Sequence, residues 1–192
     1  MNKYLLFTLS LFFSYPILAQ QIVRDGGMFT TVSVVDGKVV FLKEIQTNRK
    51  FSEKASYQRM VDWAKETYGR DPFISSIRYD SKKNEFIAKS KVELLLPPNS
   101  DGKREKMIMR YRINGFLVDS KCVLEITDIS YLYENTKYNN LDLPKVIRAE
   151  AFITDKEVAT QNGLGEIKAN TRKSTIYFVN ELTSGFEKFF TK

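Results

Sequence analysis

The sequence predicts an α+β fold in which an antiparallel sheet carries two helices packed on one face. Three observations predict it. Residues 85–127 alternate apolar and polar side chains through successive strands, each with one wetter face. Residues 52–68 and 174–190 instead space their apolar residues three and four apart, as a helix does. Asp36-Gly37, between two β-branched runs, is a hairpin turn signal because both residues accept positive φ.

The chain opens with Met1-Asn2-Lys3 and an apolar run over residues 4–13, the pattern of a signal peptide's basic and hydrophobic regions. Pro16 interrupts any helix there, and Ala19 is the small residue before the expected cleavage point. The run is shorter than the roughly 20 residues a membrane span needs. No cysteine lies near residue 20 to take a lipid. Residues 1–19 therefore read as a signal peptide and 20–192 as a single α+β domain with its core at about 30–190. The expected location is periplasmic or secreted, with no membrane span after cleavage.

The elements follow in order. Residues 30–35 and 38–44 read as the two strands of the Asp36-Gly37 hairpin. Ser52 is the expected N-cap of a helix, with Glu53 in the first turn and Tyr57, Met60, Val61, Ala64 and Tyr68 along one stripe beside Trp63. Gly69 is expected in a left-handed C-terminal cap, and Pro72 forbids continuation. Residues 74–79 form a strand and 80–84 a turn. A long strand from Glu85 to Leu96 follows, with Phe86, Ala88, Ser90, Val92, Leu94 and Leu96 on one face and Lys89, Lys91 and Glu93 on the other. Met107, Met109, Tyr111 and Ile113 alternate with Ile108, Arg110, Arg112 and Asn114; Cys122, Leu124 and Ile126 alternate with Val123, Glu125 and Thr127. Residues 131–173 carry weaker signals: a loop around Asn135–Pro144, a stretch at 145–154 readable as strand or helix, and a turn at Asn162-Gly163. Ser174 is the expected cap of a last helix with Ile176, Val179, Leu182, Phe186 and Phe189 as its stripe.

The run Val35-Asp36-Gly37-Lys38-Val39-Val40-Phe41, the Tyr57…Trp63 helix and Ala149-Glu150-Ala151-Phe152-Ile153-Thr154-Asp155 resemble the family catalogued as domain of unknown function 4468, over roughly residues 30–190. The resemblance implies a TBP-like fold, a curved antiparallel sheet with helices on one face, in exported bacterial proteins. It implies no activity and supplies no functional residues. A shared fold does not transfer function.

Composition narrows the chemistry. An apolar fraction of 43% and a charged fraction of 28% are those of a globular domain. Loss of Lys3 with the leader leaves 29 basic against 23 acidic residues, a net charge of +6 that favours acidic partners. The chain has no histidine, hence neither the usual general base nor the commonest metal ligand. Its single cysteine, Cys122, stands mid-strand on the apolar side and reads as core packing. Asp25, Asp36, Asp80, Asp101, Asp119, Asp128 and Asp155 fall at turns and strand ends, where turn chemistry accounts for them. Gly163-Leu164-Gly165 lacks the third glycine of a phosphate cradle. No catalytic residue, metal site or cofactor is expected.

Two surfaces remain as candidates. The open sheet face carries Lys89, Lys91, Arg110 and Arg112 against Glu85, Glu93 and Glu125, which read as cross-strand ion pairs on a solvated or partner-binding face. Tyr131, Tyr133 and Tyr138, with Asn139 and Asn140, suit either a binding loop or a cover for one edge of the core. The leading functional reading is a non-enzymatic binding domain for a protein, glycan or small ligand of the cell envelope, with nucleic acid disfavoured. The alternatives are a hydrolase using carboxylates that no motif marks, and a structural accessory domain of an envelope assembly.

Overall fold

The computed structural model describes residues 22–24, 26–47, 51–132, 146–160 and 164–191. The expected signal peptide, the loop at 135–144, Asn162-Gly163, Tyr133 and Tyr138 lie outside the described residues.

Three two-residue strands, β1 (Ile22–Val23), β2 (Val34–Val35) and β3 (Lys38–Val39), precede β4 (Phe41–Gln46). Helix α1 (Glu53–Tyr68) leads into β5 (Ser75–Asp80), β6 (Glu85–Leu95), β7 (Lys106–Val118) and β8 (Lys121–Leu132). Then come β9 (Val146–Arg148), a 3-10 turn (Ala149–Ala151), α2 (Asp155–Ala159) and α3 (Gly165–Thr191). The main sheet runs β1-β4-β8-β7-β6-β5, and β9 also pairs with β8. Its pairs are antiparallel except β1 on β4.

The expected alternation sets the two faces. Phe86, Ala88, Leu94, Met107, Met109, Tyr111, Ile113, Cys122, Leu124 and Ile126 are buried on the inner face. Helices α1 and α3 pack there, and the Trp63 ring meets Phe186 edge-on at 4.6 Å. Burying a side chain of this size contributes about 1.5–3 kcal/mol, so this face holds most of the fold's stability.

Several expectations change in detail. The Asp36-Gly37 turn forms with φ of 49° and 75°, but it joins only β2 and β3. The N–H of Val40 returns to the Ser33 carbonyl, and β4 leaves the hairpin to pair with β8. Ser52 caps α1 by accepting from the Ala55 N–H. Gly69, however, is right-handed at φ −85°, and a Cβ there would lie 2.6 Å from the Lys65 carbonyl oxygen. Close approach, not positive φ, is what requires that glycine.

Helix α3 begins at Gly165, nine residues before the expected cap. Ser174 caps nothing; its hydroxyl donates to the Leu95 carbonyl. The helix is held to the core in part by threonines, one of them in the added turns. Thr171, Thr175 and Thr183 are buried and donate to the carbonyls of Ile167, Thr171 and Val179, one turn back. A hydroxyl satisfied within its own helix leaves the methyl free to pack.

Strand β8 carries a bulge. Arg112 faces Thr127 while Arg110 faces Ser130, so Tyr111 opposes both Asp128 and Ile129, and Asp128 sits at φ 51°. The extra residue returns Ile129 and Tyr131 to the inner face. It also divides the strand's other edge between β4 along residues 121–126 and β9 along 130–132.

A polar strap fastens the N-terminal end. Lys43, 1% exposed on the inner face, donates to the carbonyls of Arg24 and Gly27 and pairs with Glu187 of α3 at 3.0 Å. Asn180 meets the Phe29 backbone twice, accepting from its N–H and donating to its carbonyl.

Candidate functional site

The strip of cations expected on the open face is there, and register decides its chemistry. Lys89 stands directly opposite Arg112, and Lys91 directly opposite Arg110. Like charges in that position destabilise a sheet. The expected ion pairs with Glu85, Glu93 and Glu125 do not form. Those residues sit in other cross-strand rows, opposite Phe116, Ile108 and Asn114. Glu93 pairs with Lys106 at 2.7 Å, Glu85 with Lys83, and Glu125 accepts from the Asn114 amide. Lys89, Lys91 and Arg110 have no ion-pair partner among the described residues. Arg112 is held differently: it donates to Asn114 at 2.9 Å and lies 3.6 Å from Asp128, which also pairs with Lys38. Arg148 on β9 extends the strip, because it faces Ser130, which in turn faces Arg110.

These cations border a concavity of ≈ 430 Å³ that is closed on another side by the turn after α1. Asp71 shapes that turn. Its side chain accepts from the Phe73 N–H, and its carbonyl accepts from Ile74 and Ser75. Pro72 stops the helix, and Phe73 is left 90% exposed at the rim. Ser76, opposite Lys89, adds a hydroxyl on this face. Ser75, Ser90 and Tyr111 border the concavity through their backbone, while the Ser75–Ser90 hydroxyl pair at 2.7 Å and the Tyr111 ring turn to the inner face. There burial raises the Tyr111 pKa. The net shift is upward, so the group is a neutral hydroxyl at pH 7. Such a lining can hold an anion, donate and accept hydrogen bonds, and offer one apolar ring.

Sequence reasoning found the four cations but missed Phe73, Ser76, Asp128 and Arg148. Phe73 beside Pro72 has no periodicity to mark it, and Asp128 looked like any turn aspartate. Of the three tyrosines only Tyr131 lies among the described residues, and it takes the core-covering alternative. Tyr131 is a β8 residue, fully buried, with its hydroxyl 2.8 Å from that of Thr175 and its pKa pushed up by burial. The bulge turns it inward, away from any ligand. Cys122 is buried as expected, and burial raises its thiol pKa well above the ordinary value.

A second, largely apolar groove of ≈ 590 Å³ lies between residues 92–98 and α3. Among the described residues, no group of three or more Cys, Asp and Glu side chains gathers as a metal site would require, and no helix is long and apolar enough to cross a membrane.

The family model for a domain of unknown function (DUF4468) with TBP-like fold matches residues 41–132, from the first residue of β4 to the last of β8. Residues 41–132 are similar to that family. They hold α1, the cation strip apart from Arg148, the concavity and the bulge. A TBP-like protein from Parabacteroides distasonis ATCC 8503 shares the fold at a TM-score of 0.70 and 24% identity, over 84% of this chain and 97% of that one. A DUF4468 family protein from Bacteroides ovatus ATCC 8483 does so at 0.67 and 24%, over 86% and 93%. At that identity the likeness bears on fold alone. No match was found among curated proteins. The fold of the chain is TBP-like, with the matched segment supplying five strands of the main sheet and helix α1.

Proposed function

We propose that the chain is an exported, non-enzymatic binding domain that takes an acidic ligand of the cell envelope on its open sheet face. One observation carries the reading: Lys89 opposes Arg112 and Lys91 opposes Arg110, with Asp128 the lone carboxylate among the described residues that line the concavity beside them. Like-charged cross-strand pairs lower stability, and an arriving anion relieves that cost. Paired or clamped cations suit carboxylate and phosphate groups in particular. The export half rests on the leader-like residues 1–19. The carboxylate hydrolase draws less support, since two-carboxylate hydrolysis needs a second acid facing the first across the site.

The test pairs Lys91→Ser with Arg110→Ser and leaves Arg112, which has structural partners, in place. Protein purified from its own cell should begin at Gln20 and bind hexaglutamate at low ionic strength. The double variant should keep or raise its thermal midpoint and bind about tenfold more weakly, a gap that narrows at roughly 0.5 M salt as screening takes over. Unchanged affinity in the variant would move the site elsewhere, and an uncleaved leader would end the export reading.

A further inference from the structure

The concavity is not lined as a plain polyanion site would be. A surface that reads charge alone needs donors and cations, yet Asp128 lies among the four cations as an acceptor that repels a dense row of acids. Ser76, opposite Lys89, contributes a hydroxyl, which both donates and accepts. Phe73, 90% exposed on the rim, presents a ring to whatever enters. Its backbone N–H is tied to Asp71, so the ring is held there by the turn rather than left on a loose chain.

A ligand matching every part of this lining carries an acid group for the cations and hydroxyls of its own for Asp128 and Ser76. It also carries a flat apolar patch for Phe73. Phosphate offers the first alone. An acidic peptide offers the first and, through a side chain, the third, but a dense row of its acids meets like charge at Asp128 and leaves only backbone N–H groups to donate there. A sugar ring bearing a carboxylate offers all three: one acid per ring, hydroxyls that donate to a carboxylate, and a C–H face that packs on an aromatic ring. The volume of ≈ 430 Å³ lies within the range of small-ligand sites. Resting on the acidic-ligand reading above, we infer that the concavity between the Phe73 turn and the Lys89–Arg112 strip binds a uronic-acid sugar chain. Lys91 and Arg110 hold the carboxylate, Asp128 accepts from a ring hydroxyl, and Phe73 covers the C–H face.

Isothermal titration with tetramers of galacturonate, of mannuronate and of a glucuronate-containing disaccharide repeat tests this, against neutral cellotetraose and charge-matched tetraglutamate. At least one uronate should bind about tenfold more tightly than either control. Phe73→Ala should remove most of that advantage and leave tetraglutamate unchanged; the residue is exposed, so the variant folds. Asp128→Gly, which suits the positive φ, should move the two acidic ligands in opposite directions, uronate weaker and tetraglutamate tighter. If tetraglutamate binds as tightly as every uronate and both variants shift the two alike, the sugar inference is overturned while the acidic-ligand reading stands. If no acidic probe binds, both fall.

Discussion

Cys122 sits with its thiol 3.3 Å from the sulfur of Met60 on α1, sealed between sheet and helix. Tyr68 and Tyr131 are as deeply placed, and Tyr111 nearly so. Burial is the leading cause of the raised pKa at each of the four. In an unfolded chain these groups ionise at about pH 8.5–10. In the fold they keep their protons to higher pH, so above about pH 9 the native state binds more protons than the unfolded one. Their contribution is whole below that point and is lost as pH rises through it. With no histidine in the chain, stability should change little between pH 6 and 8 and then fall steadily from about pH 9 to 11. Thermal midpoints across that series check it; a flat alkaline limb would mean that the four groups ionise freely in the fold. At the same scale Gly115 shows a constraint no pattern discloses: a Cβ there would lie 2.1 Å from the Phe86 ring, which occupies the space a side chain would need.

Strands β6, β7 and β8 were legible because one side buried and one side wet produces period-two alternation over ten or more residues. Helix α1 was legible from its cap and stripe. Elements that break those rules were not. Strand β1 has two residues and pairs in parallel, too short to show any period. The first turns of α3 hide their inward face behind Thr171 and Thr175, polar by composition and apolar in use. The bulge was invisible because Thr127-Asp128 reads as the polar end of a strand, yet it sets which way Ile129 and Tyr131 point. That gives it a specific consequence. Deleting Asp128 removes the extra residue, so Ile126, Ile129 and Tyr131 fall on the inner face by plain alternation opposite an unshifted β7. The deletion should therefore still fold cooperatively, as should Asp128→Gly, which keeps the bulge and accepts φ 51°. Circular dichroism melts of the two check this, and a deletion variant without a cooperative transition would show that the bulge itself is required.

Across the whole molecule, the sheet assigns stability to one face and chemistry to the other. The inner face carries the aromatic cluster and both long helices, while the outer face carries the like-charged strip. The identities of the cations were readable in the sequence, but their pairing was not. Pairing depends on how the chain returns between β6 and β7, and that return is fixed by contacts inside the connection, Leu96 N–H to the Glu105 carbonyl and Asn99 N–H to that of Lys103. A one-residue slip would turn one strand's faces over, and it takes a two-residue shift to set Glu93 against Arg110. This division makes a single substitution decisive. Lys91→Glu places a carboxylate directly opposite Arg110 and converts a repulsive cross-strand pair into an attractive one. Such a change is worth up to about 1 kcal/mol at an exposed position, so the variant should melt slightly higher than the parent. It should also lose its acidic ligand, because it puts a negative charge where the proposal needs a positive one. A rise in melting temperature together with lost binding is the signature of a site kept at the expense of stability. A variant that melts lower, or that binds hexaglutamate as before, would mean that the strip is ordinary solvated surface and that its charges serve neither role.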